Sequence, residues 1–338
     1  MPIRVAINGF GRIGRNAFKV GFGRKGLEFV AVNDLGNPAN MAYLLKYDSV
    51  YGRWPHVVSA RDGALIVDGK KIPMIQEKNP AALPWKKMKV DVVIESTGRF
   101  ANEDGLKMHL QAGAKRVVLS APAKGGGVPT FVLGVNDRDY KKQPYINNAS
   151  CTTNCVAPVV AVIHEKFNVL KAAMTTIHGV TAEQSLVDAP SPPLHKDWRR
   201  GRSAMNNIVP TTTGAAVATT ETIPELKGLF DGLALRAPIL AGSVADCTFL
   251  VKKKTSVEEV NAVLIAAAKT ARFKNILEVT EEPLVSSDIL GTAASAIVDL
   301  KFTKVIDNDL VKVLAWYDNE MGYSWRLIEM VERVGKSI

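Results

Sequence analysis

The chain has 338 residues, 47% hydrophobic and 22% charged, with a mean hydropathy of +0.04, which excludes a disordered chain, argues against a membrane protein and leaves enough apolar surface for two packed domains. Forty-three Lys and Arg against 33 Asp and Glu give a formal charge of +10, compatible with polyanionic partners or with phosphorylated metabolites. Three cysteines cannot all pair, and the N-terminus MPIRVAINGF enters an alternating apolar segment instead of a signal-peptide pattern, so the expected location is the cytoplasm.

From residue 1 to about 150, the β-branched runs RVAINGF, EFVAVND, DVVIEST, RVVLSA and FVLGV alternate with helical stretches, which predicts a parallel sheet with crossover helices. A helix is expected from Thr152 to Lys166. Longer alternating strands follow, LKAAMTTIHGV, LALRAPIL, SVADCTFLVKK and LVKVLAWYD, and predict a mainly antiparallel sheet. Between them runs an irregular segment, Ala182 to Asn207, too long for a simple connector. The last helix, EMGYSWRLIEMVERV, is expected to dock back on the first domain. The fold class is thus α/β: a Rossmann-type domain over 1–150 joined by the helix of 319–338, and an α+β catalytic domain over 151–318. The runs Lys86-Lys87 and Lys252-Lys253-Lys254 read as solvated faces. No metal-ligand cluster is found, and no metal is expected.

The first strand ends in Gly9-Phe10-Gly11-Arg12-Ile13-Gly14, followed by helix-compatible sequence. These glycines allow a tight turn that brings backbone N–H groups against a pyrophosphate at a helix N-terminus. Asp34, at the end of the second strand, suits the adenosine ribose hydroxyls and repels a 2′-phosphate, so NAD is favoured over NADP.

Two of the three cysteines lie in NNASCTTNCVAP, residues 147–158. Cys151 and Cys155 could form a metal half-site, a redox pair, or a nucleophile with a bystander. The first lacks further ligands, since Cys247 stands alone in a strand, and the second would strain a helix. At a helix start, the macrodipole is expected to lower the Cys151 pKa, while Cys155 packs in the core. His178 ends a strand before Gly179 and is the candidate base; His56, His109, His164 and His195 read as surface or loop residues.

The motifs NGFGRIGR, ESTGRF, ASCTTNC, PTTTGAA and WYDNEMGYS occur in an order and spacing that resemble the phosphorylating glyceraldehyde-3-phosphate dehydrogenase family, over essentially the whole chain. The resemblance implies that Cys151 attacks an aldehyde and that His178 activates the thiol and accepts the hydroxyl proton. It implies cofactor contacts at Gly9, Gly11, Arg12, Ile13, Gly14, Asp34, Thr97 and Ser120, with Asn319 fixing the nicotinamide carboxamide. It further implies that Thr181 and Arg236 hold the substrate's phosphate, that Ser150, Thr152, Thr213 and Gly214 hold inorganic phosphate, and that Arg200 is a further anion contact. A homotetramer is implied, with the long loop meeting a neighbouring subunit. The stretches HGVTAEQ, APSPPLHKDW and RAPILAGS depart from the family's commoner forms.

The expected reaction is the reversible, NAD-dependent oxidative phosphorylation of glyceraldehyde 3-phosphate to 1,3-bisphosphoglycerate through a thiohemiacetal and a thioester. One alternative is a dehydrogenase of erythrose 4-phosphate. Another, of a different class, is a nucleic-acid-binding protein on a dinucleotide-binding scaffold; no RNA motif supports it, and nucleic acid is not expected as the primary partner.

Overall fold

A computed structural model describes residues 1–191 and 197–338; His195, in the long loop, lies outside the described residues. The chain divides into two compact units. Unit 1 comprises residues 1–131, 139–149 and 324–338, and unit 2 comprises 132–138 and 150–323.

Unit 1 begins with β1 (Ile3–Asn8), α1 (Arg12–Gly21), β2 (Leu27–Asn33) and α2 (Pro38–Lys46), then a two-residue ribbon, β3 (Tyr47–Asp48) and β4 (Gly52–Arg53). It continues through β5 (Val58–Arg61), β6 (Ala64–Val67), β7 (Lys70–Ile75), β8 (Val92–Glu95), α3 (Glu103–Gln111), β9 (Arg116–Leu119) and β10 (Tyr145–Asn147). The sheet order is β10-β9-β8-β1-β2-β7-β6-β5. Pairing is parallel from β10 to β7 and antiparallel across β7, β6 and β5. Val5, Ala6, Ile7, Val92, Val93 and Ile94 are fully buried, as expected of central strands covered on both faces.

One sequence expectation fails in this unit, and one feature lies beyond what the sequence reading expected. The extension by β5 and β6 was not foreseen; it is made by two-residue turns at Asp62-Gly63 and Asp68-Gly69, in which all four residues have positive φ. FVLGV is a turn and not a strand, because Val135 and Asn136 both donate back to the Val132 carbonyl and Gly134 sits at φ +79°. Residues 132–138 accordingly belong to unit 2, where Arg272 Nε donates to the Gly134 carbonyl at 2.6 Å.

Unit 2 contains α4 (Cys151–Phe167), β11 (Val169–His178), β12 (Val209–Thr212), α5 (Ala215–Thr222), β13 (Phe230–Arg236), β14 (Ser243–Val251), α6 (Val257–Ala268), β15 (Leu277–Thr280), β16 (Ala296–Asp299), β17 (Lys304–Ile306) and β18 (Leu310–Tyr317). Its sheet runs β12-β13-β11-β14-β18-β16-β15, with β17 on β18. Burial alternates strictly along β14 and β18, so one face is packed. α4 lies against this sheet, and Cys155, Val156, Val159, Val160 and Ile163 are fully buried. The sheet is mainly antiparallel, with parallel pairs at β11/β13 and β15/β16. The last helix, α7 (Met321–Gly335), crosses from unit 2 into unit 1 at Ser324, and in unit 1 Glu332 accepts from Arg24 Nε at 2.7 Å.

Candidate active site

In unit 1 a cavity of about 430 Å³ is lined by Gly9, Gly11, Asp34, Thr97 and Arg99 among others. Its floor is the turn between β1 and α1. Gly9 has φ +96°, and a Cβ there would stand 2.6 Å from the Thr97 nitrogen; a Cβ on Gly14 would stand 2.1 Å from the Gly9 carbonyl oxygen. Both positions therefore require glycine for the protein's own packing. Gly11 is different, since a Cβ there meets nothing within 4 Å, and no side chain caps the helix it opens. The first N–H groups of α1 have no intrahelical partners. Open space over uncapped N–H groups fits a pyrophosphate.

Asp34 is oriented by that same turn: Oδ2 accepts from the Phe10 N–H at 2.7 Å and Oδ1 from Gly36 at 2.9 Å. Each oxygen keeps lone-pair capacity for a ribose hydroxyl. The Arg12 guanidinium turns to Asp48, 2.9 Å away, so what Arg12 offers the turn is its backbone. Ile13, beside it in the first turn of α1, is half-buried. Thr97 donates its N–H and hydroxyl to Glu95, and Ser120 follows β9 with its N–H on the Glu95 carbonyl. These residues fit an NAD adenosine and pyrophosphate. Glu95 also holds His109, which is fully buried between it and Trp85; the reading of His109 as a surface or loop residue is thus wrong. Its helix α3 presents that position inward, under β8 and β9, a tertiary fact invisible in a polar residue type.

In unit 2 the centre is built on the start of α4. Ser150 caps the helix, accepting from the Thr153 N–H at 3.0 Å, and the preceding Ala149 takes φ +54°, a left-handed backbone that favours glycine and stores strain beside the thiol. Cys151 Sγ lies 3.5 Å from His178 Nε2. The imidazole Nδ1 is 2.6 Å from the Gly179 carbonyl oxygen and 2.8 Å from Arg236 Nη1. In the tautomer that donates Nδ1–H to this carbonyl, Arg236 Nη1 has the same carbonyl as an acceptor at 3.4 Å. The neutral ring thus leaves Nε2 as an acceptor for the thiol. Burial, with Arg236 beside the ring, pushes the His178 pKa down to about 3.

Burial also pushes the Cys151 thiol up, against the pull of the Arg236 guanidinium and of hydrogen bonding by Thr152. The sequence reading expected the opposite direction. It weighed the helix start and could not weigh desolvation, which penalises the thiolate and dominates here. In the free protein the pair is thus thiol and neutral imidazole. Cys155 and Cys247 are buried free thiols, and burial raises both.

His178 and Arg236 meet because β11 and β13 are parallel, with His178 in register with Arg236 at the same strand ends. Glu183 completes the group: its Oε1 is 2.9 Å from Arg200 Nη1 and 3.9 Å from Arg236 Nη2. Arg200 is buried, as is Arg236 Nε, which has no acceptor among the described residues. Thr181 stands two residues before Glu183, with its N–H on Gln184 Oε1. Thr213 Oγ1 accepts from Ala215 N–H at 3.2 Å, and Gly214 opens α5 without a side-chain cap.

Three further residues escaped the sequence reading. Tyr317, fully buried, bridges Thr152 Oγ1 at 2.8 Å and Thr176 Oγ1 at 2.7 Å, and its ring meets that of His178 edge-on. Because Thr176 donates to the Val244 carbonyl, the Tyr317 proton goes to Thr176 and the Thr152 proton to Tyr317. Thr152 then has only its N–H for an anion. Ser243 Oγ accepts from the Gly179 N–H at 3.1 Å and donates to Asn319 Oδ1 at 2.9 Å, which also accepts from Gly242. Two donors on one side identify that atom as oxygen and aim the Asn319 amide nitrogen away from them. The third is Glu183. All three lie in stretches already singled out: Tyr317 in WYDNEMGYS, Glu183 in HGVTAEQ and Ser243 at the end of RAPILAGS.

Comparison with known proteins agrees with both halves. Residues 3–103 match the family model described as glyceraldehyde 3-phosphate dehydrogenase, NAD binding domain, and residues 150–319 match that of its C-terminal domain. The chain belongs to the glyceraldehyde-3-phosphate dehydrogenase family. It is 48% identical to glyceraldehyde-3-phosphate dehydrogenase of Borreliella burgdorferi over 99% of this chain and 100% of that protein. It is 48% identical to that of Geobacillus stearothermophilus over 98% and 97% of the two chains. Against the chloroplastic A form of Chlamydomonas reinhardtii it is 49% identical over 99% of this chain and 89% of the relative. No described helix is long and apolar enough to cross a membrane, and the described residues contain no metal-binding cluster.

Proposed function

We propose that this chain oxidises glyceraldehyde 3-phosphate with NAD and inorganic phosphate to 1,3-bisphosphoglycerate, reversibly, with Cys151 as nucleophile and His178 as acid–base. The observation that carries the reading is the Cys151 Sγ to His178 Nε2 distance of 3.5 Å, with the Arg236 guanidinium 2.8 Å from the other ring nitrogen. Nucleophile, base and cation are within reach of one small substrate.

In the proposed mechanism Cys151 adds to the aldehyde carbon while His178 Nε2 takes the thiol proton and returns it to the new alkoxide, giving a thiohemiacetal. His178 then accepts the hydroxyl proton as the carbon loses hydride, leaving a thioester. NAD, when bound, supplies the hydride acceptor. Phosphate oxygen attacks the thioester carbonyl, the carbon–sulfur bond breaks, and His178 returns the proton to the thiolate. General acid–base help of this kind is typically worth about 10²–10⁴-fold. Gly9, Gly11, Arg12, Ile13 and Gly14 would hold the pyrophosphate through backbone groups, with Asp34 at the ribose and Thr97 and Ser120 along the same pocket. Asn319, aimed by Ser243 and Gly242, would hold the carboxamide.

Arg236, Thr181 and Arg200 are assigned to the phosphate carried by the substrate. Ser150, Thr213, Gly214 and the Thr152 N–H are assigned to the attacking phosphate. The unpartnered Arg236 Nε and the uncapped start of α5 support these assignments. A homotetramer and a cytoplasmic location belong to the same reading, the latter supported by three free thiols.

The test is NADH formation from glyceraldehyde 3-phosphate with and without phosphate. Wild type should require phosphate for turnover, and Cys151→Ser should lose oxidation while still binding NAD. Turnover in Cys151→Ser, or its loss only in Cys155→Ser, would sink the nucleophile assignment.

A further inference from the structure

Two guanidinium groups, Arg200 and Arg236, share a single carboxylate, that of Glu183. Arg200 is buried, and its remaining contact is a long one, 3.4 Å, to the Thr212 carbonyl. Arg236 Nε has no acceptor among the described residues. The cluster therefore keeps one positive charge in excess and an open donor. The Glu183 side chain keeps 31% of its exposure, so it can leave without an unpartnered charge being buried.

We propose that Glu183 is a specificity-determining residue, an internal anion that occupies the arginine pair until the phosphate of the substrate displaces it. The inference rests on the proposed reaction, because it assigns the arginines to a phosphorylated aldehyde. A phosphate ester carries a charge of roughly −1.5 to −2 and three acceptor oxygens, whereas the carboxylate carries −1 and two. Only the former satisfies both guanidiniums and the free Nε. Glu183 thus makes the site reject singly charged anions and weakens phosphate binding to a working level. Burial pushes its carboxyl up, but hydrogen bonding and the charges of Arg236 and Arg200 outweigh it and hold it below the ordinary value, so it stays ionised in this role.

The experiment compares wild type with Glu183→Gln in two arms. Calorimetric titration with glycerol 3-phosphate, which lacks the aldehyde, should show about three- to tenfold tighter binding in the variant, the range expected when a partly exposed charged competitor is removed. The KM for glyceraldehyde 3-phosphate should fall by a similar factor, while the KM for unphosphorylated glyceraldehyde stays within about twofold. In an Arg200→Ala background the substitution should change glycerol 3-phosphate binding less than twofold. Weaker or unchanged glycerol 3-phosphate binding in Glu183→Gln overturns the proposal, since a residue that merely props Arg200 would show that result. If wild type fails to discriminate between the two aldehydes, the functional reading fails, and the binding arm still decides the role of Glu183. Glu183→Ala must give the same sign as Glu183→Gln.

Discussion

His178 is held neutral by its surroundings, and this has a consequence for stability as well as for catalysis. Its folded pKa is about 3 against an ordinary 6.5, so between these values the unfolded chain binds a proton that the folded chain refuses. The associated stability is fully present above about pH 6.5 and is lost as pH falls toward 3, at up to ~1.4 kcal/mol per pH unit. His178→Asn should flatten this acid limb in denaturant titrations at several pH values; an unchanged slope would show that the ring titrates normally. Thr152 gives a second contrast. Its hydroxyl proton runs to Tyr317, so Thr152→Val should cost stability, about 0.5–1.5 kcal/mol, by removing the hydrogen bond that the buried Tyr317 oxygen accepts. Its phosphate KM should shift less than that of Thr213→Ala, whose hydroxyl is half-exposed beside the start of α5. The reverse order would return the Thr152 hydroxyl to the anion site.

At the scale of elements, chemistry depends on which strand ends share an edge. The residues of β11 and β13 read as alternating strands, but alternation does not reveal direction, and only their parallel pairing brings His178 to Arg236. An Arg236→Leu variant should therefore damage two functions. It should raise the KM for the phosphorylated aldehyde far more than for glyceraldehyde, and it should raise the His178 pKa by removing the neighbouring cation. A pH–rate profile for glyceraldehyde reads the second effect independently of phosphate binding. Equal loss with both aldehydes and an unshifted profile would show that the arginine serves neither. The hairpins of unit 1 teach a different lesson. Asp62-Gly63 and Asp68-Gly69 are strong turn signals, and strands β5 to β7 were legible from them; the reading passed over them in favour of the longer apolar runs.

At the scale of the molecule, the long segment between β11 and β12 is tied across itself, with Ala189 donating to Gly201 and Ala204 to Ser185. It nonetheless exposes Leu186, Val187, Trp198, Met205 and Ile208. That much apolar surface on its described residues fits a subunit contact. Light scattering should give four chains per particle, and Trp198→Glu should shift the mass downward; a fully active monomer at assay concentration would remove the tetramer from the reading. The sequence by itself determined the dinucleotide turn, the acidic residue after β2, the helix that starts at Cys151 and a histidine at the end of β11. Each is a local matter of glycine sterics, strand ends, capping and residue chemistry within a few positions. Tertiary structure alone decided the rest. Desolvation raises the Cys151 thiol and lowers the His178 imidazole, parallel pairing adds Arg236, and the folded loop brings Glu183 to two arginines. Dielectric surroundings and contacts between residues tens of positions apart are set only when the chain is packed.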